Sequence, residues 1–336
     1  MERWARELSL RLPALRPGGY AVMRPPGGLV HRAGHAWEQL VLPARAARLG
    51  ARALLCPANL APLAFPRNVV VIHDAAALRH PEWYSRSYAG WQRLVLPALA
   101  RRALHVVTVS EFSRGELTAL LGVAPERVTV VPGGVDAAFS PDADPRPAWA
   151  SLALARPYVL CVASHTARKN LRALVPAARA LGRDGVDVVV AGGHRPQFAG
   201  EAGLDALRLL GYVDDALLPG LYAGAEAFVL PSLHEGFALT VLEAMACGAP
   251  VVAAATTALP ATCGDAALLV EPAPEALRDA LSGLLADDGE RARLVAAGRV
   301  RAAAFTWERT ARELDALLSD LPAASRHSGR RSGTGR

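Results

Sequence analysis

The chain has 336 residues, 52% of them hydrophobic, and a formal charge of +6. That length holds two cores of ordinary size, which favours two domains over one. Arg326, Arg330, Arg331 and Arg336 lie in residues 321–336 with no acid among them, so the remainder carries only +2 and the basic pI is no nucleic-acid signal.

That Ser-, Gly- and Arg-rich end reads as a disordered tail. Cys56, Cys161, Cys247 and Cys263 form no close pair at metal-ligand spacing, and isolated thiols suit a reducing cytoplasm. No run approaches the roughly 18 uninterrupted apolar residues that span a bilayer. The charged opening MERWARELSLRL does not read as a signal peptide. The expectation is a cytoplasmic protein, at most peripheral at the inner membrane face.

In chain order, β-rich runs occur at Tyr20–Met23, Ala53–Cys56, Val69–His73, His105–Val109 and Val128–Val131. Helical patterns lie between them, notably Tyr88–Leu104 and Ser113–Leu121. A proline-rich stretch, Ser140–Pro147, interrupts the alternation and reads as a linker. Strand patterns resume at Tyr158–Ala163, Val186–Ala191, Arg208–Leu210, Ala227–Leu230, Pro250–Ala254 and Ala267–Val270. Alternating strands and helices predict parallel sheets covered by helices, here in two α/β domains.

Ligands of open parallel sheets bind beyond the carboxyl ends of the strands, so residues just after strands carry the chemistry. The segment LPSLHEGFALTVLEAMACGAPVVAA, Leu230–Ala254, has a strand, a glycine-bearing loop and a helix over Thr240–Cys247. Glu235 falls in the loop and Glu243, eight residues on, in the helix. Backbone amides of Gly236–Leu239 open that helix, where unpaired N–H groups and the dipole favour an anion such as a diphosphate. Carboxylates accept hydrogen bonds from vicinal hydroxyls, so acids beside an anion cradle suit a nucleotide sugar. The structural alternative is a capping Glu235 and a solvated Glu243. A second loop, CVASHTARKN, places Arg168 and Lys169 after a strand, and Lys169 is the only lysine in the chain. Where every other basic side chain is arginine, one retained lysine points to a need for a compact ammonium.

The run from SLHEGF to GAPVV, with LPATCGDAALLVEP and FTWERTARELDALL, resembles retaining glycosyltransferase family 4, whose members have the GT-B fold of two Rossmann-like domains facing each other across a cleft. The resemblance implies that Glu235 meets the transferred sugar and Glu243 the ribose hydroxyls. Gly236, Phe237, Ala238 and Leu239 would approach sugar and phosphate, Arg168 and Lys169 would bind the diphosphate, and Ser164 and Val213 would complete the donor contacts. The N-terminal segments NVVVIHDAAAL and VVTVSEFSRGEL resemble the acceptor-side motifs. They place His73 and Asp74 at the cleft, His73 touching the donor sugar. Ser110, Glu111 and Ser113 read mainly as a helix-capping cluster. Three departures stand out: Ala261 replaces the usual Glu after Leu259-Pro260, Gly133 replaces the usual Asn, and MERWARELSLRLPAL already looks like the family's first helix, without the usual strand and glycine loop before it.

The expected organisation is therefore an acceptor-side domain over residues 1–139, a linker over 140–150, a nucleotide-sugar domain over 151–304, a helix over 305–320 packing back on the first domain, and the tail. Asp142-Ala143-Asp144 spells D-x-D but sits in the linker, and the histidines lack ligand spacing, so no metal and no cofactor beyond the nucleotide sugar are expected. The implied activity is transfer of a hexosyl group, mannosyl among the options, from a GDP- or UDP-sugar to a glycan or lipid-linked acceptor. Arg93, Arg101 and Arg102 mark a helix face that is either solvated or drawn to anionic lipid. Two other classes stay open: a nucleotide-sugar epimerase or phosphorylase of the same fold, and a non-catalytic nucleotide-sugar binder.

Overall fold

The computed structural model describes residues 2–27, 32–155, 157–194, 197–198 and 201–322. Strands β1 (Leu54–Cys56), β2 (Asn68–Val71), β3 (His105–Thr108) and β4 (Val128–Val130) form a parallel sheet in sequential order. With it go helices α1 (Glu2–Leu15), α2 (Arg32–Arg48), α3 (Ala76–Arg79), α4 (Arg86–Arg102) and α5 (Glu111–Leu121). Short α6 (Arg146–Ser151) follows. A second parallel sheet holds β5 (Tyr158–Val162), β6 (Asp187–Ala191), β7 (Arg208–Gly211), β8 (Ala227–Leu230), β9 (Val251–Ala254) and β10 (Leu268–Val270) in the order β10-β9-β8-β5-β6-β7. Its helices are α7 (Val175–Arg183), α8 (Leu218–Ala223), α9 (Leu239–Ala246), α10 (Leu259–Cys263), α11 (Pro274–Ala286) and α12 (Asp288–Ala303), and α13 (Trp307–Asp320) ends the described chain.

The valine-rich strands follow from burial on both faces. Val70, Ile72 and Val106 point into a core with Leu96, Leu99 and Ala100 of α4 and Leu117 of α5. The alternate residues Val69, Val71, Val107 and Val109 point the other way, onto Trp4, Leu8 and Leu12 of α1 and Trp307, Ala311 and Leu314 of α13. The last helix thus returns to the N-terminal domain. Thr310 Oγ1 donates to the Pro132 carbonyl at 2.7 Å, and the Trp307 ring meets Trp4 edge-on at 5.7 Å. The second sheet alternates in the same way, Leu160 and Phe228 facing α8 and α9, Cys161 and Val229 facing α7 and α11. Among the described residues no helix is long and apolar enough to cross a membrane.

The return requires a close approach at Gly134, where a Cβ would sit 2.1 Å from the Trp307 backbone nitrogen. Backbone cannot swing aside as a side chain can, so Gly134→Ala is expected to cost about 3 kcal/mol. Urea denaturation checks this, and a shift within 0.5 kcal/mol, the ordinary surface range, would contradict it.

Three expectations change. Tyr20–Met23 is not a strand: among the described residues none pairs with it, and the Tyr20 hydroxyl donates instead to Asp315 Oδ1 of α13 at 2.5 Å. The stretch 140–147 is not wholly irregular, because α6 begins at Arg146 inside it. Leu321, placed in the tail by composition, is buried against α1 and α13, and Arg67 donates to the Pro322 carbonyl. The rest of the expected tail lies outside the described residues.

Candidate active site

In the second sheet the chain runs from β5 outward to β6 and β7, then returns past β5 to β8, so β5 and β8 are hydrogen-bonded neighbours whose following segments diverge. That crevice is the topological switch point where open α/β sheets bind ligands. The loop after β5 carries Arg168 and Lys169, and the loop after β8 carries Glu235. The fold brings together the two segments that the sequence singled out separately.

Their side chains meet directly. Lys169 Nζ donates to Glu235 Oε1 at 2.5 Å, and Arg168 Nη1 donates to Glu235 Oε2 at 3.3 Å and to the His234 carbonyl at 2.7 Å. Main-chain bonds hold the loops: Leu233 N–H to the Arg168 carbonyl at 2.9 Å, and Asn170 Nδ2 to the Pro231 carbonyl at 3.1 Å. The Glu235 N–H donates to Thr257 Oγ1 at 2.9 Å. Side-chain exposures are only 13% for Arg168, 12% for Lys169 and 8% for Glu235. Burial opposes ionisation of Glu235, but the attraction of Lys169 and Arg168 outweighs it and brings the carboxyl down to about 2. Burial pulls Lys169 below its ordinary value, with Arg168 adding to the pull and Glu235 opposing it. Two cations meet one carboxylate here, with Asp74 a second acid acting on Arg168 from the opposing side. The buried Arg168 Nε also has no partner, so a donor is in reserve.

Backbone strain collects around this cluster. Asn170, Ala238 and Thr257 have φ of 54°, 68° and 50°, a region that non-glycine residues rarely enter. Such strain costs on the order of 1–3 kcal/mol each and gathers where a ligand-binding geometry is held in advance. Ala238 caps α9, so the amides from Gly236 to Leu239 turn into the first helical turn beside Glu235.

Glu243 falls in the helix, as its position after the loop led one to expect. It lies in α9 with a 2% exposed side chain. Tyr222 donates its hydroxyl to Oε2 at 3.1 Å, and Arg3 of α1 pairs with Oε1. Arg3 also lies 3.7 Å from Asp215 and over the Phe139 ring. The alternative of a solvated Glu243 does not describe this carboxylate. The helix that precedes the N-terminal sheet reaches the nucleotide-sugar domain and occupies it.

On the opposing side, His73 follows β2. Its ring meets Trp4 edge-on at 5.4 Å, and its Nε2 lies 2.9 Å from the Pro57 carbonyl. Burial holds the imidazole down at about 4, so it is neutral at pH 7 and its Nε2–H is spent on Pro57. Ser110 caps α5, accepting from the Ser113 N–H at 3.0 Å, as read from the sequence. The two serines also do more: Ser110 Oγ donates to the Gly236 carbonyl at 2.6 Å, and Ser113 Oγ shares its hydrogen between the His73 and Gly236 carbonyls at 3.1 and 3.2 Å. Glu111 stays outside, paired with Arg114. Gly236 has no room for a side chain, because a Cβ would lie 2.5 Å from the His73 carbonyl.

The remaining expected contacts divide. Ser164 follows β5 at the crevice, and Phe237 packs on Phe305 at 5.5 Å. Val213 is buried in the core under the sheet, so its backbone is the part that can face a ligand. Asp144 of the D-x-D is turned to Arg146 at 2.8 Å, and among the described residues no three His, Cys, Asp or Glu side chains are grouped to hold a metal ion. A cavity of about 400 Å³ lined by Pro145, Trp149, Glu226 and Arg291 opens beside the amino ends of β8 and β9, away from this chemistry. Pattern along the chain does not mark Arg3, Tyr222 or Glu116 as parts of the site, since each is brought in by tertiary contact, and His234 beside Glu235 is explained only by its remote partner Glu116.

Comparison with known proteins fits this arrangement. The profile "Glycosyl transferases group 1" matches residues 156–287, and "Glycosyltransferase Family 4" matches residues 34–139. The O-antigen chain mannosyltransferase B of Escherichia coli is 32% identical over 256 residues, which is 72% of this chain and 67% of that protein. The chain belongs to the group 1, family 4 glycosyltransferases. The matches span about half to two thirds of the lengths of the first curated relatives. Sucrose-phosphate synthase from Thermosynechococcus elongatus superposes with a TM-score of 0.68 at 26% identity, over 83% of this chain and 76% of that one. WaaG, a glycosyltransferase involved in lipopolysaccharide biosynthesis, superposes with a TM-score of 0.69 at 14% identity, over 95% of this chain and 96% of that one. The family 4 chain therefore has the GT-B fold.

Proposed function

We propose that this family 4 chain transfers a hexosyl group from a nucleoside-diphosphate sugar to a glycan or lipid-linked acceptor, with retention and without a metal ion. The observation that carries the reading is the Lys169–Glu235–Arg168 cluster at the switch point. Lys169, Arg168 and the amides of Gly236–Leu239 take the diphosphate, with Ser164 at its edge. Glu235 meets the sugar, and Glu243 accepts the ribose hydroxyls. The bond between C1 and the diphosphate oxygen breaks as the acceptor oxygen bonds C1 on the same face, and the acceptor proton passes to the departing phosphate. Charge builds on the leaving group in that step, so cations fixed beside it favour the transition state over the ground state. No cofactor besides the nucleotide sugar takes part. Neutral His73, its Nε2–H already committed, orients the sugar rather than relaying a proton. The mannosyltransferase relative points to a mannosyl group and a polysaccharide acceptor. Incubating the chain with GDP-mannose and with UDP-glucose, each with and without acceptor saccharides, tests this. Acceptor-dependent release of nucleoside diphosphate with an axial, retained product is expected. An epimerised donor, or sugar phosphate formed only with added phosphate, would instead mark an epimerase or a phosphorylase, which the family does not favour.

Arg3 has a definite consequence for this reading. A ribose on Glu243 must take an oxygen that Arg3 now holds. Arg3→Ala is expected to tighten UDP or GDP binding about tenfold, roughly 1.4 kcal/mol, as measured by calorimetry. Weaker binding would mean that Arg3 serves the diphosphate itself.

Free thiols at Cys56, Cys161, Cys247 and Cys263, all buried, support a cytoplasmic placement. We also propose peripheral contact with anionic lipid through α2 and α4, adjacent where His35 and Trp91 lie 6.1 Å apart. Leu40 and Leu94 are 75% and 76% exposed there, beside Arg45, Arg48, Arg93, Arg101 and Arg102. Cosedimentation with phosphatidylglycerol vesicles, lost on phosphatidylcholine vesicles or in high salt, is the expected outcome.

A further inference from the structure

Glu116 and His234 come from opposite domains, Glu116 from α5 and His234 from the loop that carries Glu235. His234 Nε2 lies 2.9 Å from Glu116 Oε2, and the two side chains are only 2% and 4% exposed. Arg79 Nε donates to the second carboxylate oxygen at 3.3 Å, and the Phe112 ring closes edge-on over His234 at 5.4 Å. His234 also matters through its main chain, because its carbonyl accepts from Arg168 Nη1 at 2.7 Å. On the other side of Glu235, the Gly236 carbonyl takes the Ser110 and Ser113 hydroxyls. Glu235 is thus bracketed by two residues, each held by the same helix of the other domain.

A hydrogen bond to a charged, buried acceptor is a strong one. Here it exists only while the domains are together, since donor and acceptor are 118 residues apart and on different sheets. When the cleft opens, residues 234 and 236 lose these anchors. The Glu235 loop then loses the anchors that set its carboxylate toward the sugar, while Arg168, Lys169 and the amides, which hold the diphosphate, remain on their own domain.

We propose that Glu116 is a positioning residue for the transfer, acting through His234 to set the Glu235 loop when the cleft closes. The inference rests on the glycosyltransferase reading for its effect on turnover, but not for its effect on closure. Glu116→Ala is expected to lower kcat at least tenfold while leaving the Kd for UDP or GDP within threefold, since the nucleotide sits on the other domain. Glu116→Gln, whose carbonyl still accepts from the imidazole, is expected to recover most of that loss. His234→Ala gives a second entry to the same bond, and the double variant should lose no more than the worse single one. Small-angle X-ray scattering of the unliganded proteins should show a larger radius of gyration for Glu116→Ala than for the wild type. An unchanged kcat, a parallel fall in kcat and nucleotide affinity, or additive losses in the double variant would each overturn the proposal. If the wild type turns over no nucleotide sugar, the functional reading fails, and scattering alone decides: a larger radius in Glu116→Ala upholds the latch and equal radii refute it.

Discussion

Replacing Lys169 with alanine is expected to lower kcat/KM by about 2–4 kcal/mol, which is roughly 30- to 1000-fold. A single positive charge about 4 Å from a phosphate charge contributes roughly 4 kcal/mol of attraction at an effective dielectric near 20, before desolvation. Part of that serves ground-state binding, and the part that grows with the leaving charge serves kcat. The local structure sharpens the expectation. Lys169 now balances Glu235, and Arg168 alone, at 3.3 Å, is the weaker of its two partners. Removing the ammonium therefore takes a donor from the diphosphate and frees a carboxylate to repel it. Lys169→Arg should recover little, because a fork-shaped guanidinium does not fit where a compact ammonium reaches Oε1. Steady-state kinetics on a folded preparation check both, and a change under twofold for Lys169→Ala would discard its role.

Glu235→Gln is expected to cost both activity and stability. The neutral amide leaves Arg168 and Lys169 facing each other in a crevice where each is nearly buried. Breaking a buried pair from one side costs about 3 kcal/mol or more, since an uncompensated charge stays behind. The same number follows from linkage. The Glu235 carboxyl falls from 4.5 to about 2 on folding, so ionised Glu235 contributes about 3 kcal/mol above pH 4.5. That contribution is lost as pH falls from 4.5 towards 2. His73 acts earlier: its imidazole falls from 6.5 to about 4, so its own contribution declines from pH 6.5 downward, while buried Glu38, raised from 4.5 to about 7, opposes it by gaining its proton in the native state over the same window. Each group's stage is therefore read in chemical denaturation as the part of the pH profile that its own substitution changes. In Glu235→Gln the upper stage should remain and the lower one shrink. An unchanged lower stage would mean that the ion pair holds nothing in the native state.

Much of this site was legible in the sequence because its main parts are local. A strand followed by a turn with cations, or by a glycine and an acid, can be placed by pattern alone, and the sheet order then determines which turns adjoin. Lys169 and Glu235 could be singled out that way. What pattern could not supply is distant in the chain. Arg3 reaches Glu243 from the first helix and Glu116 meets His234 from the other domain, pairings 240 and 118 residues apart that no spacing along the chain marks. The serines illustrate a partial success: Ser110 does cap α5, but its hydroxyl hydrogen is directed at Gly236, which a capping pattern cannot show. Two readings went wrong for physical reasons. Tyr20–Met23 has β-prone side chains but no neighbouring strand to complete its ladder, so the tyrosine hydroxyl on α13 decides its course instead. The stretch 140–147 has a linker's prolines, yet Asp144 accepts from the Arg146 N–H and α6 starts inside it.

Because the chain contains a single lysine, its ammonium can be watched without interference. Labelling with ζ-15N-lysine should give one side-chain NMR signal, and titration with GDP or UDP should shift it in step with nucleotide binding measured by calorimetry. Saturating binding with that signal unmoved would place the diphosphate elsewhere and contradict the account.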